Sequence, residues 1–119
     1  MQTGAQVFVA ALGQLGIDRL FTLVGDHLNE VLIEAARAGL RIVDFRHESG
    51  AGHAADAWAR LTRRPALCLV TGGPGHTNML TALATASAAA SPLIAVSGAP
   101  PSAAWQRSGF QEIAQLEMA

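Results

Sequence analysis

Val7, Phe8, Ala11, Leu12 and Leu15 recur at helical spacing and Gly16 follows them, which predicts a first amphipathic helix that stops near Gly16. Residues 20–24 form a short apolar run closed by Gly25-Asp26, as in a buried strand. Leu28, Val31, Leu32, Ala35 and Ala36 then resume helical spacing up to Gly39. The alternation continues with a strand over 41–45, a helix over 49–62, a turn at Arg63-Arg64-Pro65 and a continuous apolar strand over 66–70. Thr71-Gly72-Gly73-Pro74-Gly75 leads into a long helix from about His76 to Ala90, and residues 93–96 read as a fourth strand. After a loop over 97–104, Phe110 to Met118 predicts the start of a further helix.

Strands that are solid apolar runs, separated by helices of about 10–15 residues, predict a parallel sheet covered on both faces. The class is α/β: a doubly wound, flavodoxin-like sheet. It reads as incomplete at the C-terminus, because the last helical pattern has neither cap nor returning strand. A chain of 119 residues forms one small domain, able to bury roughly two-thirds of its unfolded surface. Ligands of such sheets sit at the carboxyl ends of the strands.

Charge narrows the chemistry. Nine acids and eight bases leave a net charge of −1 without a basic stripe, so nucleic acid is not an expected partner. All the basic residues are arginine, which removes mechanisms that need a phosphate-loop or Schiff-base lysine. Cys68 lies inside an apolar strand as a packing thiol, and no disulfide is possible within the chain. The N-terminus has no secretory pattern and the apolar stretch 79–96 is broken by polar residues and Pro92, so a cytoplasmic protein without a membrane span is expected. No Asp, Glu, Lys or Arg occurs from Pro65 to Gln106, which predicts that the helix within this stretch is covered on its outer side by another domain or subunit.

Two features carry candidate chemistry. Glu48 stands where the second strand pattern runs into a small-residue helix, a carboxylate at the carboxyl end of a parallel strand in a chain poor in charge. The turn from Thr71 to Asn78 joins a buried strand to a helix start, where backbone amides favour an anion or a polar ring edge. It lacks the Gly-Lys-Ser/Thr of a phosphate loop and the third glycine of the dinucleotide fingerprint. The four histidines and their neighbouring acids show no ligand spacing, so no metal site is expected.

Together these segments resemble a known family. Arg46-His47-Glu48-Ser49-Gly50-Ala51-Gly52-His53-Ala54-Ala55-Asp56 is similar to the glutamate segment of thiamine diphosphate enzymes of the acetolactate synthase, pyruvate oxidase and benzaldehyde lyase group. Gly73-Pro74-Gly75-His76-Thr77-Asn78 resembles their Gly-Pro-Gly-x-Thr-Asn turn, Pro92 to Gly98 their following strand, and Gly109-Phe110-Gln111-Glu112 their Phe-Gln-Glu segment. The resemblance implies that residues 1–119 are part of an N-terminal pyrimidine-binding domain, with Glu48, Pro74, Asn78 and Gln111 at the cofactor. Glu48 would hydrogen-bond the aminopyrimidine ring and favour the imino form that removes the thiazolium C2 proton. Some members place a histidine where His27 stands, as a proton donor or acceptor for substrate chemistry. His47 and His53 read as orienting or packing residues, and His76 departs from the small residue usual in the turn.

The resemblance also implies what lies elsewhere. The diphosphate and its magnesium ion would be held by a separate domain, in the same or another chain, and a flavin is possible. The complete protein would be a homo-oligomer acting on a 2-oxo acid or an aldehyde, acetolactate synthase-like, with this chain alone inactive. Alternatives are a benzaldehyde lyase-like or oxalyl-CoA decarboxylase-like enzyme, a non-catalytic remnant acting in protein association, and a phosphate binder using the 72–78 turn.

Overall fold

A computed structural model describes residues 1–119. Four helices alternate with four strands: α1 (Gly4–Gln14), β1 (Arg19–Thr22), α2 (Asn29–Arg37), β2 (Arg41–Asp44), α3 (Glu48–Thr62), β3 (Ala66–Val70), α4 (Pro74–Ala88) and β4 (Leu93–Ser97). All strand pairs are parallel, in the order β2-β1-β3-β4. This is the α/β class read from the sequence, with helices on both faces.

The period of two along β3 assigns its side chains to the faces. Leu67 and Leu69 join Leu20, the inner residues Val9 and Leu12 of α1 and Leu32 and Ala35 of α2, and Leu28 just before α2. Ala66, Cys68 and Val70 join Phe21, Met79 and the alanines 51, 55 and 59 of α3. Leu20, Leu67 and Val70 are fully buried, each side chain contributing about 1.5–3 kcal/mol relative to exposure. Cys68 is equally enclosed. Burial, and secondarily the negative charge of Glu48, push its thiol up to about 12, so it remains a neutral packing group.

Alanine and glycine determine how closely α3 and α4 approach. A methyl group added at Gly52 would lie 2.5 Å from the Ala82 methyl, well inside van der Waals contact. The two helix axes are therefore held together where neither carries a side chain larger than a methyl. The outer face of α4, with Thr77, Thr81, Ala84, Thr85 and Ala88, is exposed in this chain.

Some local expectations are corrected. The inward stripe of α1 is Ala5, Val9 and Leu12, while Val7, Ala11 and Leu15 face outward. Residues 5–12 are apolar almost all round, so spacing alone could not choose the face. The first strand ends at Thr22, leaving Val24 exposed. The 49–62 helix begins at Glu48, because His47 Nδ1 accepts from Ser49 N–H (3.2 Å) and caps it. The long helix begins at Pro74, whose lack of an N–H costs nothing in the first turn. His53 is exposed and does not pack.

The expected helix over 110–118 does not form. Its residues make turns and one short 3₁₀ turn, Gln115–Glu117. Gln111 has a left-handed backbone (φ 56°), and the Glu112 carboxylate accepts from the backbone N–H groups of Gln106 and Gly109. Side chain-to-backbone bonds of this kind compete directly with helix formation. The same two bonds, Gln106 first, hold the Glu112 carboxyl below the usual carboxylate range.

Two outcomes test this packing. Gly52→Ala is expected to destabilise the chain by about 1–3 kcal/mol despite alanine's better helix propensity, and adding Ala82→Gly is expected to recover most of the loss. Urea unfolding of both variants measures it; no recovery in the double variant would refute the close-approach account. Asp56, buried on α3, accepts from Arg60 Nε and Nη2 at 2.9 and 2.6 Å, and this pairing holds its carboxyl below the ordinary value. A lowered folded-state value stabilises the fold above the unfolded one and loses that contribution as acid protonates the group. Asp56→Asn should therefore cost stability at neutral pH, with the gap to wild type closing below about pH 4. A gap that persists unchanged in acid would contradict the assignment.

Candidate functional site

The carboxyl ends of the four strands converge on one edge of the sheet, and each contributes a group there. β2 leads through Phe45, Arg46 and His47 into Glu48, the first residue of α3. β3 leads into the glycine turn and α4. β1 is followed by the loop carrying His27, and β4 by Gly98.

Glu48 is 7% exposed. Asn78 Nδ2 donates to its Oε2 at 2.9 Å. The pairing follows from the helix contact: Glu48 lies one turn before Gly52 on α3, and Asn78 one turn before Ala82 on α4, so the polar pair continues the same line of contact. Glu48 Oε1 has no hydrogen-bond partner in the chain and is not sealed from solvent. A methyl group at Gly75 would lie 3.4 Å from that oxygen, so glycine keeps the space beside it clear. The carboxylate thus has one oxygen anchored and one available to a ligand.

The glycine turn is held from above by residues 109–117. Gly73 has φ +63°, and a side chain there would meet the Gln111 carbonyl at 2.6 Å. Thr71 Oγ1 donates to Gln111 Oε1 at 3.2 Å and lies 3.1 Å from His27 Nδ1. Gly72 N–H donates to the same His27 nitrogen at 3.2 Å. Gln115 is buried, donating from Nε2 to the Gly98 carbonyl (2.9 Å) and accepting from Gly73 N–H at 3.4 Å.

The predicted site residues are therefore divided. Glu48 and Asn78 meet directly. His27 and Gln111 meet through Thr71 on the neighbouring side of the turn. Pro74 is exposed at the first position of α4 and makes no side-chain hydrogen bond. His76 lies in the interior: its Nδ1 is 2.8 Å from Ser97 Oγ, and its Nε2 is buried without a partner.

Gln115 carries no signal in the sequence beyond being a polar residue in an apolar segment, and Thr71 is legible only as the first residue of the glycine turn. No group of three or more His, Cys, Asp or Glu side chains is placed to hold a metal ion. No helix is long and apolar enough to cross a membrane. A cavity of about 330 Å³ is lined by Trp105, Gln106 and residues 112–117, and Glu48 is not among its walls.

Known proteins show clear similarity to this chain. The family described as "Thiamine pyrophosphate enzyme, N-terminal TPP binding domain" matches residues 2–118. The chain is 40% identical over 115 residues to 2-hydroxyacyl-CoA lyase 2 of Danio rerio and 39% identical over 115 residues to that of Homo sapiens, covering 97% of this chain in each case. It is 41% identical over 98 residues to a probable acetolactate synthase of Mycobacterium bovis, covering 82% of this chain. In each case it spans 18% of the relative's length. An anchored carboxylate with a free oxygen, beside a glycine that keeps the adjoining space open, fits the cofactor named in that description. The chain belongs to the thiamine pyrophosphate enzyme family, in which it corresponds to the N-terminal cofactor-binding domain.

Proposed function

We propose that this chain forms the pyrimidine-binding half of the active site of a thiamine diphosphate-dependent carboligase or decarboxylase, acetolactate synthase-like, acting on 2-oxo acids or aldehydes. The observation that carries the reading is Glu48 itself, with Oε2 fixed by Asn78 and Oε1 free beside Gly75. When bound, the cofactor supplies electron-sink chemistry at carbonyl carbons, which no amino-acid side chain can provide.

The chain's own contribution is to hold and move a proton. Glu48 Oε1 would hold the bound aminopyrimidine by a ring nitrogen and could exchange a proton with it there. Asn78 prevents the side chain from rotating off that nitrogen. Gln111 and Pro74 would bound the pyrimidine from the turn side, Pro74 by stiffening the first turn of α4. On this reading the diphosphate and its magnesium ion would be held by a second domain, met in a homo-oligomer.

One observation favours a second reading. The relatives named 2-hydroxyacyl-CoA lyase 2 cover more of this chain than the acetolactate synthase does, 97% against 82%. On that reading the same half-site serves cleavage of a 2-hydroxyacyl thioester, and Glu48 keeps its role.

In the assembled enzyme, Glu48→Gln should slow exchange of the cofactor C2 proton by about 10²–10⁴-fold, the usual range for removing a positioned acid–base group. Asn78→Ala should slow it by about tenfold or more, as expected for loss of a bond to a charged partner. Exchange is followed by NMR after quenching in acid. Near wild-type exchange in Glu48→Gln would overturn the reading and favour a domain that serves only association.

A further inference from the structure

We propose that Gln115 is a positioning residue for the cofactor: its buried amide sets where the glycine turn stands, and with it the space beside Glu48 that the pyrimidine ring enters. The proposal rests on the active-site reading above. Gln115 is 7% exposed and lies 42 residues along the chain from Gly73. Its Nε2 donates to the Gly98 carbonyl at 2.9 Å, and its Oε1 accepts from Gly73 N–H at 3.4 Å, the longer and weaker bond. These backbone partners fix the orientation of the amide, since an N–H can only donate and a carbonyl can only accept.

Gly98 is the fixed end of this bridge. Its N–H donates to the Val70 carbonyl at 2.9 Å, at the last step of β3, and a side chain on it would collide with His27 Cβ. Gly73 is the adjustable end. Its φ of 63° and ψ of −115° are those of the first central residue of a type II′ turn, a position that favours glycine. A glycine keeps one conformation only where its surroundings impose it. Gln115 imposes it from the N–H side, while the Gly73 carbonyl accepts from Thr77 N–H at 3.1 Å and starts α4. Two residues on, Gly75 borders Glu48 Oε1, and in the next turn of α4 Asn78 donates to Oε2. A shift of Gly73 therefore moves the groups on both oxygens of the carboxylate.

Gln115→Glu tests the bridge, because a carboxyl group changes its hydrogen bonding with pH. Protonated, it offers an O–H to Gly98 and an oxygen to Gly73, as the amide does; ionised, it accepts only and sets a negative oxygen against the Gly98 carbonyl. Gln115→Met fills the same space and makes neither bond. In the assembled enzyme, calorimetric titration with thiamine diphosphate and magnesium gives Kd across about pH 5–8, the range in which a buried carboxyl titrates. Each value is divided by that of wild type at the same pH, which removes the titration of Glu48, Glu112, Glu117, His27 and the cofactor.

Near pH 8 both variants should bind about tenfold or more weakly, as when a buried donor and acceptor lose their partners. The deficit of Gln115→Glu should shrink as the pH falls, and that of Gln115→Met should not. At saturating cofactor kcat should stay within about threefold of wild type, because the binding geometry is lost and Glu48 is not. Wild-type affinity in folded Gln115→Met would make the residue a packing piece, and a deficit in Gln115→Glu that persists unchanged in acid would remove the bridge; either result overturns the proposal. Failure of the wild-type enzyme to bind thiamine diphosphate would overturn the active-site reading itself, and the proposal with it. If neither variant folds, hydrogen exchange of the wild-type enzyme decides: on binding the cofactor, residues 71–75 and 113–117 should gain protection together, and protection confined to 71–75 refutes the coupling.

Discussion

The contact between α3 and α4 at Gly52 and Ala82 is the constraint on which the site depends. Two helices can approach this closely only where both carry almost nothing between their axes. Once they do, the turns above and below are brought together by helical geometry alone. One turn toward the N-termini, that geometry sets Asn78 against Glu48. Both helices also start at the carboxyl ends of parallel strands, β2 and β3, so their positive ends point at the same edge of the sheet. A buried carboxylate is tolerable there because an amide and the ends of two helices face it.

The other side of the edge is built differently. His27, Thr71, Gln111 and Gln115 lie in loops and short 3₁₀ turns, outside the α-helices and strands. They are joined by side-chain hydrogen bonds, mostly to backbone groups, that cross from the first loop to the glycine turn and on to the last segment of the chain. Gln115 is the connecting piece: its amide nitrogen donates to the Gly98 carbonyl while its oxygen accepts from Gly73 N–H. The half containing Glu48 thus owes its accuracy to packing, and the half containing His27 to hydrogen bonds. Packing is felt at every methyl group, whereas hydrogen bonds of a loop yield locally.

This difference also explains what could be read from the sequence. Solid apolar runs at 66–70 and 93–96 read as strands, and Glu48 is visible because a carboxylate at a strand–helix junction is out of place in so apolar a chain. Those features arise from local pattern. The inward face of α1 was not legible, because Val7, Val9, Ala11 and Leu12 offer apolar stripes on both sides and only the partner surface selects one. The residues after Gly109 carry an apolar spacing compatible with a helix, yet Glu112 and Gln115 spend their side chains on backbone groups, one of them some 40 residues away. Nothing within ten residues of Gln115 announces that.

The two margins of the sheet are not alike. β2 exposes Arg41 and Asp44, with Arg46 paired to Asp44 at 3.0 Å, so an approaching strand would meet fixed charge. β4 has only Leu93, Ile94, Ala95, Val96 and Ser97, all half-buried although the strand pairs on one side only. Charge on a border strand is a common guard against unwanted pairing, and here it guards one border alone. The sheet therefore has a direction: it is closed to growth beyond β2 and chemically open beyond β4, immediately beside the loop that holds Gly98 over His27.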